Sequence, residues 1–588
     1  MMRTGGSVRL GDLLVEMGAV AAEDMDAAVA EAKKSGERLG EILLKMNLVD
    51  EETLMQAIGR QLSVPYVRPS LMEIDPAAVE RVPAKLATHY QLIPIGQANG
   101  ALQVAVNDPL DIHVLDDLRL TLRTEVELAV ASRKEIREAI KKYYGIGADT
   151  MEGLLDQAGS SPVESVPAEA GNIEEMAEDA SIVRFVNQII MEAIGDRATD
   201  IHFEPMEEEL RIRYRIDGML YEAAIPPAIN RFQAAILSRV KIMADMNIAE
   251  RRLPQDGKIK LKSGDLDYDL RVSSVPTPYG ESISVRLLSR DSEFINLERL
   301  GLGSLHLKIL RRMILRPYGI ILVTGPTGSG KSTTLYAALS EINDVAKKII
   351  TIEEPIEYRI RGVTQIQVNP AIGLTFASCL RTILRQDPDI IMVGETRDTE
   401  TAEITIRTAL TGHLVFSTLH TNDACGAVTR LLDMGIEPFL ASSSVEGIIA
   451  QRLVRVLCPE CKTPYEPPAD LLRMVNVTQD APSTLKIYRQ RGCEACRYTG
   501  FRGRTAVYEI VQISEDLRRM IVERQPANVL KQEAMRHGMR PLRYDGWGKV
   551  KAGITTIEEV LRVTMLEDEI LVEGEGAEET TALSAGKS

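Results

Sequence analysis

Residues Gly319 to Thr334 read Gly-Ile-Ile-Leu-Val-Thr-Gly-Pro-Thr-Gly-Ser-Gly-Lys-Ser-Thr-Thr. Gly325, four residues, Gly330, Lys331 and Ser332 have the spacing of a loop that cradles phosphates. Apolar Ile320 to Val323 read as a buried strand before it, and Thr-Leu-Tyr-Ala-Ala-Leu after it has helical character. Glycines let backbone amides approach an anion, and the N-terminus of the following helix favours negative charge. Gly325, Pro326, Thr327, Gly328, Ser329, Gly330, Lys331, Ser332 and Thr333 are therefore expected to hold the phosphates of a nucleotide. Lys331 should reach its outer phosphates, and Ser332 should hold magnesium.

Three more segments have the composition of strands that end in reactive groups. Ile349 to Tyr358 closes on Glu353, Glu354 and Glu357. Ile390 to Val393 is followed by Gly394 and Glu395, and His413 to His420 has a histidine at each end. Ligands of open α/β sheets bind at the carboxyl ends of strands, and triphosphate hydrolysis needs a base and a group that senses the γ-phosphate. Glu353 and Glu354 also suit solvated strand ends. Farther on, Cys458-Pro-Glu-Cys461 and Cys493-Glu-Ala-Cys496 form two knuckles. Four thiolates paired this way suit tetrahedral zinc with no open position, hence a structural metal. The remaining Cys379 and Cys425 read as buried apolar residues. Arg452, Arg455, Lys462, Arg491, Arg497, Arg502 and Arg504 make the knuckle region basic, which suits an acidic lipid or an acidic partner domain.

The elements that position these groups extend over 588 residues, enough for roughly three to five domains. Residues 301–566 hold the nucleotide motif in an α/β setting that predicts a doubly wound sheet, with a zinc subdomain at about 452–510. Residues 181–300 read as a second α/β domain. Its segment Leu210 to Ile216 alternates as a strand does and sets Arg211, Arg213 and Arg215 on one face, before an Asp217-Gly218 hairpin turn. Residues 148–180 carry nine acids and no Lys or Arg, the composition of a self-repelling flexible linker. Residues 62–147 read as a small α/β domain with a strand at Ala101 to Val106 and a helix over Arg133 to Tyr144. At the start, Arg9-Leu10-Gly11 recurs as Arg38-Leu39-Gly40, a 29-residue offset that predicts a pseudo-symmetric pair of helical units over 1–61. Residues 567–588 hold seven acids and one Lys and read as a disordered tail. The net charge of −16 argues against nucleic-acid binding. No apolar run reaches the roughly 18 residues of a membrane span, and the N-terminus lacks the apolar core of a secretory signal, so a cytoplasmic protein is expected.

Together these motifs resemble the ATPases of type II secretion and type IV pilus assembly. The resemblance rests on the phosphate loop, the acidic box Thr351 to Glu357, the Walker B-like Ile390 to Glu395 and the histidine box His413 to His420, and it runs to about residue 566. It implies a RecA-like P-loop core preceded by a PAS-like α/β domain, and a Mg-ATP-driven motor of secretion or pilus assembly. By the same resemblance Glu357 is the general base and Glu395 aligns water or magnesium. His413 and His420 couple the γ-phosphate to neighbouring elements. Arg213 and Arg215 act in trans within a homo-hexamer. Glu354 departs from the family's usual Asp. The zinc knuckles favour secretion or pilus extension over retraction, and Glu437 to Ser444 leans towards secretion. Implied partners are an inner-membrane platform and cytoplasmic docking proteins, with membrane contact peripheral only. Rival readings are a nucleotide-sensing regulatory protein and a DNA-translocating ATPase.

The N-terminal repeat resembles a cyclic di-GMP-binding module found in some of these ATPases. Arg9, Leu10 and Gly11 match in the first copy, and Arg38, Leu39 and Gly40 in the second. Asn47 stands where a Gly is expected, and Ala32 where a Gln is expected. The same residues also suit a docking domain that binds no nucleotide.

Overall fold

The computed structural model describes residues 9–98, 100–122, 124–148, 150, 179–264, 266–289, 296–474 and 486–564. The segment read as a linker lies outside these residues except for 148, 150, 179 and 180, and the acidic tail lies outside them altogether. The chain forms two compact units, 1–289 and 290–588.

The first unit opens with two helix pairs, Leu10–Glu16 with Ala22–Ser35 and Leu39–Lys45 with Glu51–Leu62. Leu14 and Leu43, equivalent in the two copies, are fully buried. The repeated glycines allow close packing: a Cβ on Gly11 would meet Met25 Sδ at 3.2 Å, and one on Gly40 would meet Leu54 Cδ2 at 3.3 Å. Asn47 has φ 52°, the left-handed conformation that Gly18 takes at φ 69°. Asn tolerates that region, which explains the substitution. A three-stranded sheet follows, β1 (Leu92–Ala98), β2 (Ala101–Val106) and β3 (Val126–Val130), with the helix Arg133–Tyr144 against it.

The rest of this unit is a six-stranded antiparallel sheet. Its strands are β4 (Ala198–Pro205), β5 (Leu210–Ile216), β6 (Met219–Glu222), β7 (Gln255–Ser263), β8 (Leu266–Thr277) and β9 (Gly280–Ser289), in the order β6-β5-β4-β9-β8-β7. Asp217 and Gly218 both have positive φ, which suits the two-residue turn between β5 and β6. Alternation turns Ile201, Phe203, Leu210 and Ile212 onto the helices Ala180–Gly195 and Gln233–Met243. The opposite face is charged.

The second unit is built on a seven-stranded sheet. Its strands are β10 (Gly319–Thr324), β11 (Ile349–Glu353), β12 (Thr364–Gln367), β13 (Ile390–Val393), β14 (Leu414–Leu419) and β15 (Val445–Leu457), with β18 (Phe501–Gln512) at the far edge. The order is β12-β11-β13-β14-β10-β15-β18, parallel except for the antiparallel β15–β18 pair. The central strands β10, β11, β13 and β14 are buried along their whole length and largely apolar because both faces are covered. Ile320 and Leu322 face one core, with the helices Phe376–Ile383, Thr399–Leu410 and Cys425–Asp433. Ile321 and Val323 face the other, with the helices Ser304–Ile314 and Lys331–Ile342. Each such side chain contributes about 1.5–3 kcal/mol relative to exposure. A two-stranded sheet, β16 (Thr463–Tyr465) with β17 (Ile487–Arg489), flanks the cysteines. No helix of the described residues is long and apolar enough to cross a membrane.

Candidate nucleotide and metal sites

Parallel register gathers several of the candidate groups at the carboxyl end of the sheet. Thr324 of β10 pairs with Leu419 of β14, and Val393 of β13 pairs with both Ile352 of β11 and Ser417 of β14. The phosphate loop, the acidic box, Glu395 and His420 therefore all leave the sheet at its carboxyl end.

Gly328 and Gly330 have φ 77° and 88°, and Gly325 has φ 151°, conformations that let the loop turn tightly before the helix Lys331–Ile342. A Cβ on Gly325 would lie 2.6 Å from both Gln451 O and Ser329 Oγ. Lys331 Nζ folds back to donate to the carbonyls of Gly325 (2.8 Å) and Pro326 (3.1 Å). Burial lowers its pKa, and the charge of Glu395 opposes that shift. Gln451 fastens the loop from β15. Its amide donates to Ser329 O at 2.7 Å and accepts from the Thr334 hydroxyl at 2.8 Å. Buried Arg452, the next residue, donates to Asn422 O at 2.6 Å and so ties the segment after β14 to the same strand.

Glu395 Oε1 lies 2.7 Å from Arg397 Nε and 2.8 Å from His420 Nε2. Burial works to raise its carboxyl, but Arg397 and His420 outweigh it and hold the group below the usual carboxylate range. Glu353 corrects the expectation of a solvated strand end. It is 4% exposed and accepts from the Thr351 hydroxyl (2.6 Å), the Gln365 amide (3.0 Å) and Tyr336. Glu354 is exposed, as a solvated charge would be. Glu357 follows β11, and its amide donates to the Tyr336 hydroxyl at 3.2 Å.

His413 is a second correction. It precedes β14, beside Gly319, whose amide donates to its carbonyl at 3.1 Å. Its ring contacts Thr408 O at 3.0 Å. The length of β14 separates it from His420 by roughly 20 Å, so within one chain the two rings cannot face the same group. The two histidines flank opposite ends of one interior strand.

Arg213 and Arg215 lie on the charged face of the first unit. Arg213 Nη2 donates to Glu204 Oε1 at 2.6 Å, and Arg211 Nε donates to Glu204 Oε2 at 3.1 Å. Burial tends to raise Glu204, but these arginines hold it low. Arg215 Nη1 donates to Gly218 O at 3.1 Å, and its Nε lies 3.7 Å from Asp200. Arg38 Nη1 donates to Asp108 at 2.6 Å, while Leu10 and Leu39 are half-buried beside their glycines.

The four cysteines converge. Their sulfurs all lie within 4.8 Å of one another, with Cys458–Cys493 at 3.8 Å and Cys461–Cys496 at 3.7 Å. Tetrahedral zinc with bonds of about 2.3 Å requires sulfurs about 3.8 Å apart, whereas a disulfide brings them to about 2 Å. Backbone amides of Cys493 and Gly500 both donate to Cys496 Sγ at 3.2 Å, as amides do to a thiolate ligand. The basic surface expected here loses two members. Arg452 points to the phosphate-loop side, and Arg455 pairs with Glu559 at 2.7 Å. Sequence reading also missed Gln451, Arg397, Gln365 and Tyr336. No spacing rule marks them: Gln451, Gln365 and Tyr336 act through contacts between distant segments, and Arg397 through an ion pair with Glu395 two residues before it.

Comparison with known proteins agrees with this geometry. A family model described as "Type II/IV secretion system protein" matches residues 175–562, and one described as "MshEN domain" matches residues 62–150. The second falls on the small α/β domain rather than on the Arg-Leu-Gly pair. A type IV pilus assembly ATPase PilB of Myxococcus xanthus is 44% identical over 560 residues, 94% of this chain and 98% of that protein. A type II secretion system protein E of Xanthomonas campestris is 42% identical over 96% of this chain and all of its own length. Another, from Pseudomonas aeruginosa, is 48% identical over 71% of this chain and 82% of its own.

Proposed function

Because the chain belongs to the type II/IV secretion system protein family and is an ATPase of that family, we propose that it is the motor of a type II secretion or type IV pilus assembly machine. The observation that carries this reading is the convergence of phosphate loop, acidic box, Glu395 and His420 on one sheet edge. Lys331 releases its loop carbonyls to meet the outer phosphates, and Ser332 holds magnesium. Glu357 takes the proton of the attacking water, while Glu395, kept ionised by Arg397 and His420, aligns water or metal. This arrangement favours a hydrolytic motor over the regulatory rival, and the acidic chain speaks against DNA translocation.

Arg213 and Arg215 stabilise transition-state charge in the neighbouring subunit of a homo-hexamer. The knuckle cysteines hold structural zinc, and the Arg-Leu-Gly pair takes cyclic di-GMP. The protein works in the cytoplasm, held at the inner membrane by platform and docking proteins. One experiment tests base and trans arginine together. Glu357→Gln and Arg215→Ala should each lose at least roughly nine-tenths of turnover. Mixed in equal amounts they should regain part of it, because each supplies what its neighbour lacks. Phosphate release from Glu357→Gln at the native rate would remove the base. Mixtures that stay inactive would remove the shared site.

A further inference from the structure

The helix behind the phosphate loop carries a polar contact that this scheme leaves unused. Tyr336 lies five residues beyond Lys331 and is 2% exposed, its ring edge-on to Tyr358 at 6.1 Å. Its hydroxyl has two partners in the acidic box. It donates to Glu353 Oε2 and accepts the amide hydrogen of Glu357 at 3.2 Å. Burial, and after it the charge of Glu353, push the phenol above its ordinary range, so the hydroxyl keeps its proton and can serve both partners.

The segment between β11 and β12 is thus held at two points. Gln365 accepts the Ile360 amide at 2.8 Å, donates to Tyr358 O at 2.9 Å and reaches Glu353 at 3.0 Å. Tyr336 holds the other point, at Glu357 itself. Among the described residues no Lys or Arg pairs with Glu353, so its buried carboxylate depends on neutral donors, and losing one is costly.

We propose that Tyr336 is a positioning residue for hydrolysis: its hydroxyl fixes the backbone of Glu357 to the helix whose N-terminus receives the phosphates. This rests on Glu357 being the base. A base displaced by even about 1 Å loses much of its effect, whereas nucleotide affinity, set by the loop, should survive.

Tyr336→Phe keeps the ring and its packing and removes only the hydroxyl. In the full-length chain with Mg-ATP, kcat should fall by roughly tenfold or more while KM stays within about twofold. A kcat within about twofold of the native value would overturn the inference. So would a KM that rises with kcat unchanged, the mark of a hydroxyl that shapes only the binding loop. Glu357→Gln run alongside separates the two ideas. Turnover surviving there removes the base and the positioning role together. Turnover lost there but kept in Tyr336→Phe removes the positioning role alone.

Discussion

Glu353 ends β11 with its carboxylate buried among three donors, while Glu354, one residue on, is exposed. Their types alone do not tell them apart, because two of the three donors come from Tyr336 and Gln365, distant in sequence. Glu559 shows the same dependence on surroundings. It is 2% exposed and is gripped by Arg455 and Arg562, at 2.7 and 2.8 Å. Burial works to raise its carboxyl, and the two arginines overcome this and hold it at about 2. The folded value lies below the unfolded one, so its stabilisation is complete above the ordinary carboxylate range. It drains away as pH falls from there towards about 2. Glu559→Gln should therefore cost about 2–3 kcal/mol at neutral pH. Its deficit against the native chain should shrink between about pH 5 and about pH 3 in denaturant titrations. An equal deficit at both ends of that window would show that the charge is not what matters.

Elements were more legible than contacts. The strand over Leu210–Ile216, the helix over Arg133–Tyr144 and the loop joining β10 to its helix follow from alternation, amphipathic spacing and glycine placement. Strands β10, β13 and β14 are buried throughout and mostly apolar, which marks burial on two faces but leaves strand order and direction open. The parallel register shows that His420, and not His413, lies at the end of the sheet where the loop after β10 begins. The cysteine knuckles were legible because two Cys-x-x-Cys pairs have a spacing that can bring four sulfurs together, as the fold does. Native chain should carry about one zinc per chain by metal analysis. Cys461→Ser should lose most of it and melt at a lower temperature. Full zinc in that variant would refute the four-thiolate site.

The whole molecule joins two units: the first holds the Arg-Leu-Gly pair and the arginines of β5, the second the phosphate-loop motif and the four cysteines. Arg38 spans from the repeat to Asp108 beside the three-stranded sheet, so a ligand that captures it must compete with that ion pair. Full-length chain titrated with cyclic di-GMP should give heat and a higher melting temperature, and Arg38→Ala should give neither. A native chain that stays silent in both would leave the docking role for this module. In the second unit, β15 sets a different kind of constraint. Gln451 clasps the phosphate loop from this strand, and Cys458 follows directly on its end. Because side chains alternate along a strand, the spacer between them acts as a ruler. The β-bulge between Arg455 and Leu457 is part of that ruler: straightening it would turn the thiol to the other face relative to the amide, so the clasp on the loop and the gathering of the sulfurs are set by one strand.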